Sequence, residues 1–325
     1  LFVLCGRKES SLMALKVKRL FIVLPVLFFL GLVGIYYLFP EAAFDLVIRA
    51  ERGVGGLAHN TADVGELHFA YLEGGRGEPL VLLHGFGANK DNWTRIGRHL
   101  TPHFRVIAPD LVGFGESGPA PDGDYSIRKQ AERVRDFVMA LGVESFHLGG
   151  SSMGGYIAGV YAAAYPQEVK SLLLIAPGGV AAAEPSEIHR RLQAGEAIPL
   201  VAANAAEYDR LLDFAFAERP FIPGPMKRVL VKETVAHRPR NLRIWNQMNR
   251  ALEDAPLEKT VKGLAVPTLI VWGAQDRVLH VSGGGVLAAV MPNARTAVMP
   301  AVGHLPMIEK PGETAGLYLK FRGLE

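Results

Sequence analysis

Ser152 is the hydroxyl residue whose neighbours suit it to nucleophilic chemistry. It sits in Gly150-Ser151-Ser152-Met153-Gly154, a Gly-x-Ser-x-Gly pattern. Ser151 would need glycines at 149 and 153, and position 153 is Met. In such a pattern the serine occupies a strained strand-to-helix turn, and the glycines let strand and helix nearly touch. A serine hydroxyl is a poor nucleophile near neutral pH, so it needs a base, and the base needs an orienting carboxylate. Two later residues meet that need in the expected chain order. Asp276 closes Trp272-Gly273-Ala274-Gln275-Asp276, and His304 closes Pro300-Ala301-Val302-Gly303-His304. Each follows an apolar run that reads as a buried strand.

The rivals are weaker. Of the ten histidines, His304 is the one beyond the last strand-like run, whereas His84 belongs to an earlier loop. His59, His99, His103, His189 and His237 fall in early segments or in a long insertion. Asp110 precedes Ser152, so it reads as an organiser of its own loop, Asp110-Leu111-Val112-Gly113-Phe114-Gly115-Glu116-Ser117. Acyl chemistry also needs backbone N–H groups to hold an oxyanion. Met153, just after the serine, offers one at a helix N-terminus. Phe86, in His84-Gly85-Phe86-Gly87, offers the second.

These residues must be held by a sheet and its helices. Leu67, Phe69 and Tyr71 alternate as a half-buried strand does, and Leu80–Leu83 is a continuous apolar run, as in a strand covered on both faces. Helical spacing over 93–100 and 127–141 alternates with strand-like runs at 105–108, 146–150 and 171–175. That alternation, with short connections, predicts a doubly wound, mostly parallel α/β sheet. The rhythm breaks after Pro177 and resumes about 90 residues later at Thr268–Trp272, far more than a crossover requires. The excess predicts an inserted helical lid broken by prolines. A closing helix is expected over Thr314–Phe321, with no obvious cap.

The ends of the chain differ from its middle. Five basic residues against one acid precede residue 20, which more than accounts for the formal charge of +3. The remainder is slightly negative, and no nucleic-acid surface is implied. One cysteine, Cys5, excludes an internal disulfide framework and any CxxC metal or redox site. Leu20–Phe39 is a run of 20 residues without a charge, long enough at about 1.5 Å per residue to span the ~30 Å hydrocarbon core. It lacks a signal-peptide cleavage pattern, so it reads as an uncleaved anchor. The basic residues before it place the N-terminus in the cytosol and the bulk of the chain across the membrane. Glu41–Arg52 reads as an amphipathic helix carrying Phe44, Val47 and Ile48. The expected layout is a basic tail over 1–19, of which 1–12 are not native, and a transmembrane helix over 20–39. A juxtamembrane segment over 40–58 follows. Then come the first part of the core over 59–178, the lid over 179–250 and the rest of the core over 251–325.

Taken together, the His84–Gly87, Asp110–Ser117, Gly150–Gly155, Trp272–Asp276 and Gly303-His304 segments resemble the α/β-hydrolase superfamily. With the apolar N-terminal run and the lid segments Ala206–Phe214 and Arg219–Pro223, the chain is similar to a narrower group. These are single-pass membrane monoacylglycerol lipases and related bacterial inner-membrane phospholipases A. The resemblance implies a Ser152–Asp276–His304 triad, no cofactor, no metal and a lipid ester substrate. It implies an inner-membrane protein with its catalytic domain on the periplasmic side. A small-ester esterase or a C–C bond hydrolase of the same fold is the alternative, and a catalytically inactive binding protein a remoter one. Two copies could pair through the membrane and juxtamembrane helices, although Gly31-Leu32-Val33-Gly34 lacks the GxxxG spacing.

Overall fold

The apolar runs are continuous because both faces of the sheet are covered. In a computed structural model, which describes residues 21, 23–28, 31 and 33–324 without the side chains of 251–254, Val81 and Leu83 join one core and Leu80 and Leu82 the other. The same split divides Leu172 and Leu174 from Leu173 and Ile175, and Ile270 and Trp272 from Leu269 and Val271. Side chains alternate across a strand, so a run without polar residues is what two covered faces require.

The eight strands are β1 (Ala58–Val64), β2 (Leu67–Gly75), β3 (Glu78–Leu83), β4 (Phe104–Pro109), β5 (Phe146–Ser151), β6 (Val169–Ile175), β7 (Thr268–Gly273) and β8 (Ala294–Met299). They lie in the order β1-β2-β4-β3-β5-β6-β7-β8. The β1–β2 and β2–β4 pairs are antiparallel, and every other pair is parallel. The sheet is therefore mixed, with its antiparallel part confined to one edge. β1, Ala-His-Asn-Thr-Ala-Asp-Val, has no alternation that would announce it. It forms by pairing with β2 through a turn at Gly65, which has φ +60°.

Helices α1 (Pro40–Val54), α2 (Thr94–Leu100), α3 (Ile127–Ala140) and α4 (Met153–Ala164) precede the insertion. Within the insertion lie α5 (Glu187–Gln193), α6 (Ala205–Ala215) and α7 (Gly224–Asp254). Pro239 does not break α7, as a lid cut up by prolines would require; it sits inside one 31-residue helix. The short α8 (Leu257–Thr260) leads back to the sheet, and α9 (Ser282–Val290), α10 (Pro306–Glu309) and α11 (Pro311–Arg322) complete the chain. The closing helix starts three residues earlier than its apolar spacing suggests. It does have a cap, because Gly323 adopts φ +70° and its N–H returns to the last turn.

Among the described residues, those up to Val47, with Ile222–Leu230, form one compact unit; Ile48–Phe221 and the chain from Val231 onward form the other, which contains the whole sheet. Residues 1–20, with the basic tail, lie outside the described residues. Among those described between 21 and 38, all are helical. No single helix among the described residues is long and apolar enough to cross a membrane. Val23–Leu38 and Pro40–Val54 meet that length and composition only together, as a bent pair.

Candidate active site

β5, an interior strand, delivers Ser152 to the C-terminal end of the parallel strands, and α4 begins at the next residue. Ser152 has φ +55° and ψ −118°, a conformation that costs a non-glycine residue about 1–3 kcal/mol. Its neighbours hold it there. The Ser152 N–H donates to Ile175 O at 3.0 Å, and its carbonyl accepts from Gly178 N–H at 2.8 Å. The two flanking glycines are demanded by contact. A Cβ at Gly150 would lie 2.2 Å from Gly154 O, and one at Gly154 would lie 2.2 Å from Leu83 O. The first partner is backbone of α4 and the second backbone of β3, so neither can move aside without disturbing the helix or the sheet.

Asp276 and His304 are brought together although 28 residues separate them. Strands β7 and β8 are parallel neighbours, so the loops after them leave the same end of the sheet. His304 Nδ1 and Asp276 Oδ2 lie 2.8 Å apart. The Asp276 carboxylate is fully buried, and its other bonds are all accepted from nearby donors. Val278 N–H and Leu279 N–H donate to Oδ1 at 2.8 and 2.9 Å, and the Trp272 indole N–H donates to Oδ2 at 3.1 Å. Four donors therefore converge on one buried carboxylate. With Nδ1 engaged there, the free nitrogen of His304 is Nε2. Trp272 fits because α9 is stripped of side chains beneath it: a Cβ at Gly283 would meet the indole at 2.7 Å.

The loop that carries Phe86 is pinned beside Ser152. A Cβ at Gly85 would lie 3.2 Å from Ser152 Cβ. His84, completely buried, bonds Gly85 O through Nδ1 at 2.8 Å and accepts Leu111 N–H through Nε2 at 3.0 Å. That pattern requires a neutral ring, and burial does push the His84 pKa below the usual histidine value. The far end of the loop is tied by Asp110, which is buried without exposure. It accepts Lys90 N–H at 2.7 Å, Lys90 Nζ at 2.8 Å and Glu116 N–H at 2.8 Å. Asp110 thus organises two loops and touches neither Asp276 nor His304. Met153 occupies the first position of α4, where an N–H has no partner within the helix.

Over this end of the sheet lies an apolar cluster built from the insertion and the two loops. Ile188 of α5, Phe214 of α6 and Trp245 of α7 pack with Val278, and Phe86 joins them from the side, its ring 5.5 Å from that of Trp245. A cavity of about 240 Å³ opens between Pro177, Val180, His189, Trp272, Leu279 and His280. Three polar contacts around the site were not legible in the sequence. They are the Trp272 indole on Asp276, the Arg277 guanidinium on the insertion, and the Glu309 carboxylate on the His304 loop. Trp272 stands four residues before the acid, and Arg277 immediately after it, but neither spacing signals a bond on its own.

A serine on a strained strand-to-helix turn, with an acid–histidine pair on later loops at the same end of the sheet, defines a serine-hydrolase type of site on an α/β sheet. The sequence agrees: residues 78–311 match the family model for the alpha/beta hydrolase fold. The chain belongs to the α/β-hydrolase family. Among its relatives, Lipase 1 of Psychrobacter immobilis is 37% identical over 78% of this chain and 80% of its own length. The monoacylglycerol lipase ABHD6 of Homo sapiens is 30% identical over 90% of both chains. A crystal structure of a membrane phospholipase A, a bacterial virulence factor, superposes with a TM-score of 0.85 at 41% identity. It covers 94% of this chain and 98% of that one.

Proposed function

We propose that the chain is a membrane-anchored serine hydrolase that cleaves acyl esters of lipids through Ser152, His304 and Asp276. That it is a carboxylic ester hydrolase of the lipase or phospholipase A type rests on its family and on its lipase and phospholipase relatives. The observation that carries the residue assignment is the 2.8 Å pair between Asp276 and His304 at the end of the sheet where β5 presents Ser152. Ser152 Oγ attacks the ester carbonyl while His304 Nε2 takes its proton, the imidazolium being steadied by Asp276. The N–H groups of Phe86 and Met153 hold the oxyanion, each contributing roughly 2.7–4 kcal/mol to the transition state. His304 then protonates the leaving alcohol. An acyl-enzyme remains, and water activated by the same His304 releases the fatty acid. The apolar cluster of Ile188, Phe214 and Trp245 suits an acyl chain.

The anchor reading assigns 20–39 to the inner membrane, with the cytosol on the side of the basic residues and the catalytic domain on the periplasmic side. It is supported by the uncharged run, by the relative described as a membrane phospholipase A, and by Leu46 and Val54 exposed on α1. The lid reading assigns 179–250 to the cover of the site. Pairing of two copies through the anchor has only that segment's apolar character behind it. Fluorophosphonate labelling, with a panel of short-chain nitrophenyl esters, monoacylglycerol and lysophospholipid, tests the whole. Ser152→Ala should lose the label, and long-chain lipid esters should give the highest kcat/KM. Labelling that survives Ser152→Ala refutes the nucleophile, and indifference to chain length refutes the lipid substrate.

A further inference from the structure

The base and the insertion are joined through a carboxylate with no part in the triad. Glu309, in α10, lies five residues beyond His304. Its Oε1 accepts Gly303 N–H at 3.0 Å and Leu305 N–H at 3.4 Å, the two amides that flank His304. Its Oε2 accepts Ala217 N–H at 3.0 Å, just past the end of α6. The His304 N–H itself donates to Ala215 O at 2.9 Å. The histidine loop and the end of α6 are so close that a Cβ at Gly303 would lie 2.6 Å from Ala217 N. One carboxylate therefore bridges two segments 86 residues apart in sequence, and it holds the backbone of the base from both sides.

A second clamp acts on the acid. Arg277, next to Asp276, pairs with Glu187 of α5 at 2.6 and 2.9 Å and donates to Asp213 O of α6 at 2.9 Å. Its guanidinium lies over the Phe214 ring, 5.0 Å from the centroid. The pair is strong enough to hold the Glu187 carboxyl well down, at about 2, the Arg277 hydrogen bond being the largest cause. Helices α5 and α6 are thus bolted to the residues beside both Asp276 and His304.

We propose that Glu309 and Arg277 are positioning residues, which make α5 and α6 part of the frame that aims the acid and base. This rests on reading Ser152, Asp276 and His304 as the triad. It follows that the part of the insertion free to admit substrate is what comes after α6, because moving α6 would carry the base with it. A misplacement of about 1 Å in a catalytic group can cost on the order of 10²-fold in rate. In the full-length protein, Glu309→Gln replaces one acceptor oxygen by a donor that faces an N–H. It should lower kcat on a short-chain nitrophenyl ester by roughly 10–100-fold with KM within about twofold. Fluorophosphonate should still label every site at saturation, but more slowly by a similar factor. A kcat per labelled site equal to wild type overturns the proposal, whether or not the labelled fraction falls, because the residue would then serve folding alone. If Glu309→Gln does not fold, Arg277→Gln carries the same test with the same expected signature. The triad is checked separately: label surviving Ser152→Ala or full turnover in His304→Ala refutes that reading, and this proposal with it. Wild-type kcat in both positioning variants, with Ser152→Ala dead, refutes the positioning role only.

Discussion

At the scale of single residues, the proposed chemistry depends on which way one imidazole points. His304 Nδ1 meets Asp276 Oδ2, and the same oxygen takes the Trp272 indole N–H, so the carboxylate is steered from two directions. Asp276→Asn places an amide where two donors converge. Either the amide turns its N–H₂ toward His304 and enforces the wrong tautomer, or it turns it toward Val278 and Leu279. Turnover should fall by about 10⁴-fold, as in the serine-protease case, while the protein stays folded. Steady-state kinetics alongside a thermal melt check this; near-normal kcat would pass the role of acid to another carboxylate. The three proposed partners were legible because their signals are local or ordinal. Gly-x-Ser-x-Gly is five adjacent residues, and the order Ser, Asp, His follows the strands. Glu309 and Arg277 were not, because they bond to groups of distant segments, and Trp272 was not, because a spacing of four residues does not by itself signal a side-chain bond. A carboxylate that serves Gly303 and Ala217 leaves no pattern around itself.

At the scale of elements, strands buried on both faces were easy to read and the edge was not. Leu80–Leu83 and Leu172–Ile175 consist of apolar residues because two cores claim alternate positions. β1 has one neighbour, exposes most of its residues and carries Asn60, Thr61 and Asp63, so its identity comes from β2 alone. α7 shows the reverse failure: Pro239 signals a break, yet the helix continues through it. Proline costs about 3 kcal/mol in a helix interior, so its neighbours must outweigh that penalty. The loop that offers Phe86 is an element held by one buried ion pair. Asp110 and Lys90 are at most 1% exposed, and Lys90 also reaches Glu116 at 2.6 Å. Asp110→Asn leaves the ammonium with the more exposed Glu116 as its charged partner. Since breaking a buried pair costs about 3–5 kcal/mol and one partner survives, the loss should fall near 3 kcal/mol. That corresponds to a drop of roughly 6–10 °C in Tm. A Tm within about 2 °C of wild type would show that Asp110 is no organiser, and activity should fall with stability because Lys90 N–H is released.

For the molecule as a whole, two kinds of group set its response to acid: buried histidines and ion-paired carboxylates. Burial lowers the pKa of His84, and burial is also the largest influence on His147, which bonds Ser171 and Glu78 at 2.9 Å. Both therefore take up a proton less readily in the folded chain than in the unfolded one, where the value is about 6.5. The unfolded chain then binds more protons, so stability should fall as pH drops below about 6.5. Glu78 and Glu187 act lower, their pKa values held at about 2 chiefly by Lys170 and Arg277. Their contribution is complete above about 4.3, the unfolded value, and is lost between there and about 2. Solvent around Glu78 trims that second stage. Melting followed from pH 8 to 2.5 should show both, and a flat Tm between 7.5 and 5 would refute the lowered imidazole pKa values. The proposed membrane attachment asks for a different measurement. The large unit begins at Ile48, inside α1, and the end of that helix is tied to the segment over 91–101. Arg52 makes a bidentate pair with Asp91 at 2.7 and 2.8 Å, only about 15% exposed on either side. Gly55 packs so closely that a Cβ would lie 2.7 Å from Thr94 O, and Thr101 Oγ1 donates to Gly55 O. Removing residues 1–39 should therefore release a folded, active domain into the soluble fraction. Removing residues 1–57 should cost stability as well, because Asp91 loses its guanidinium and the α2 end loses its cover. The pair of truncations separates anchoring from folding. Membrane retention of the shorter truncation would assign a second attachment to α1, and equal Tm values for the two would show that α1 contributes nothing to the fold.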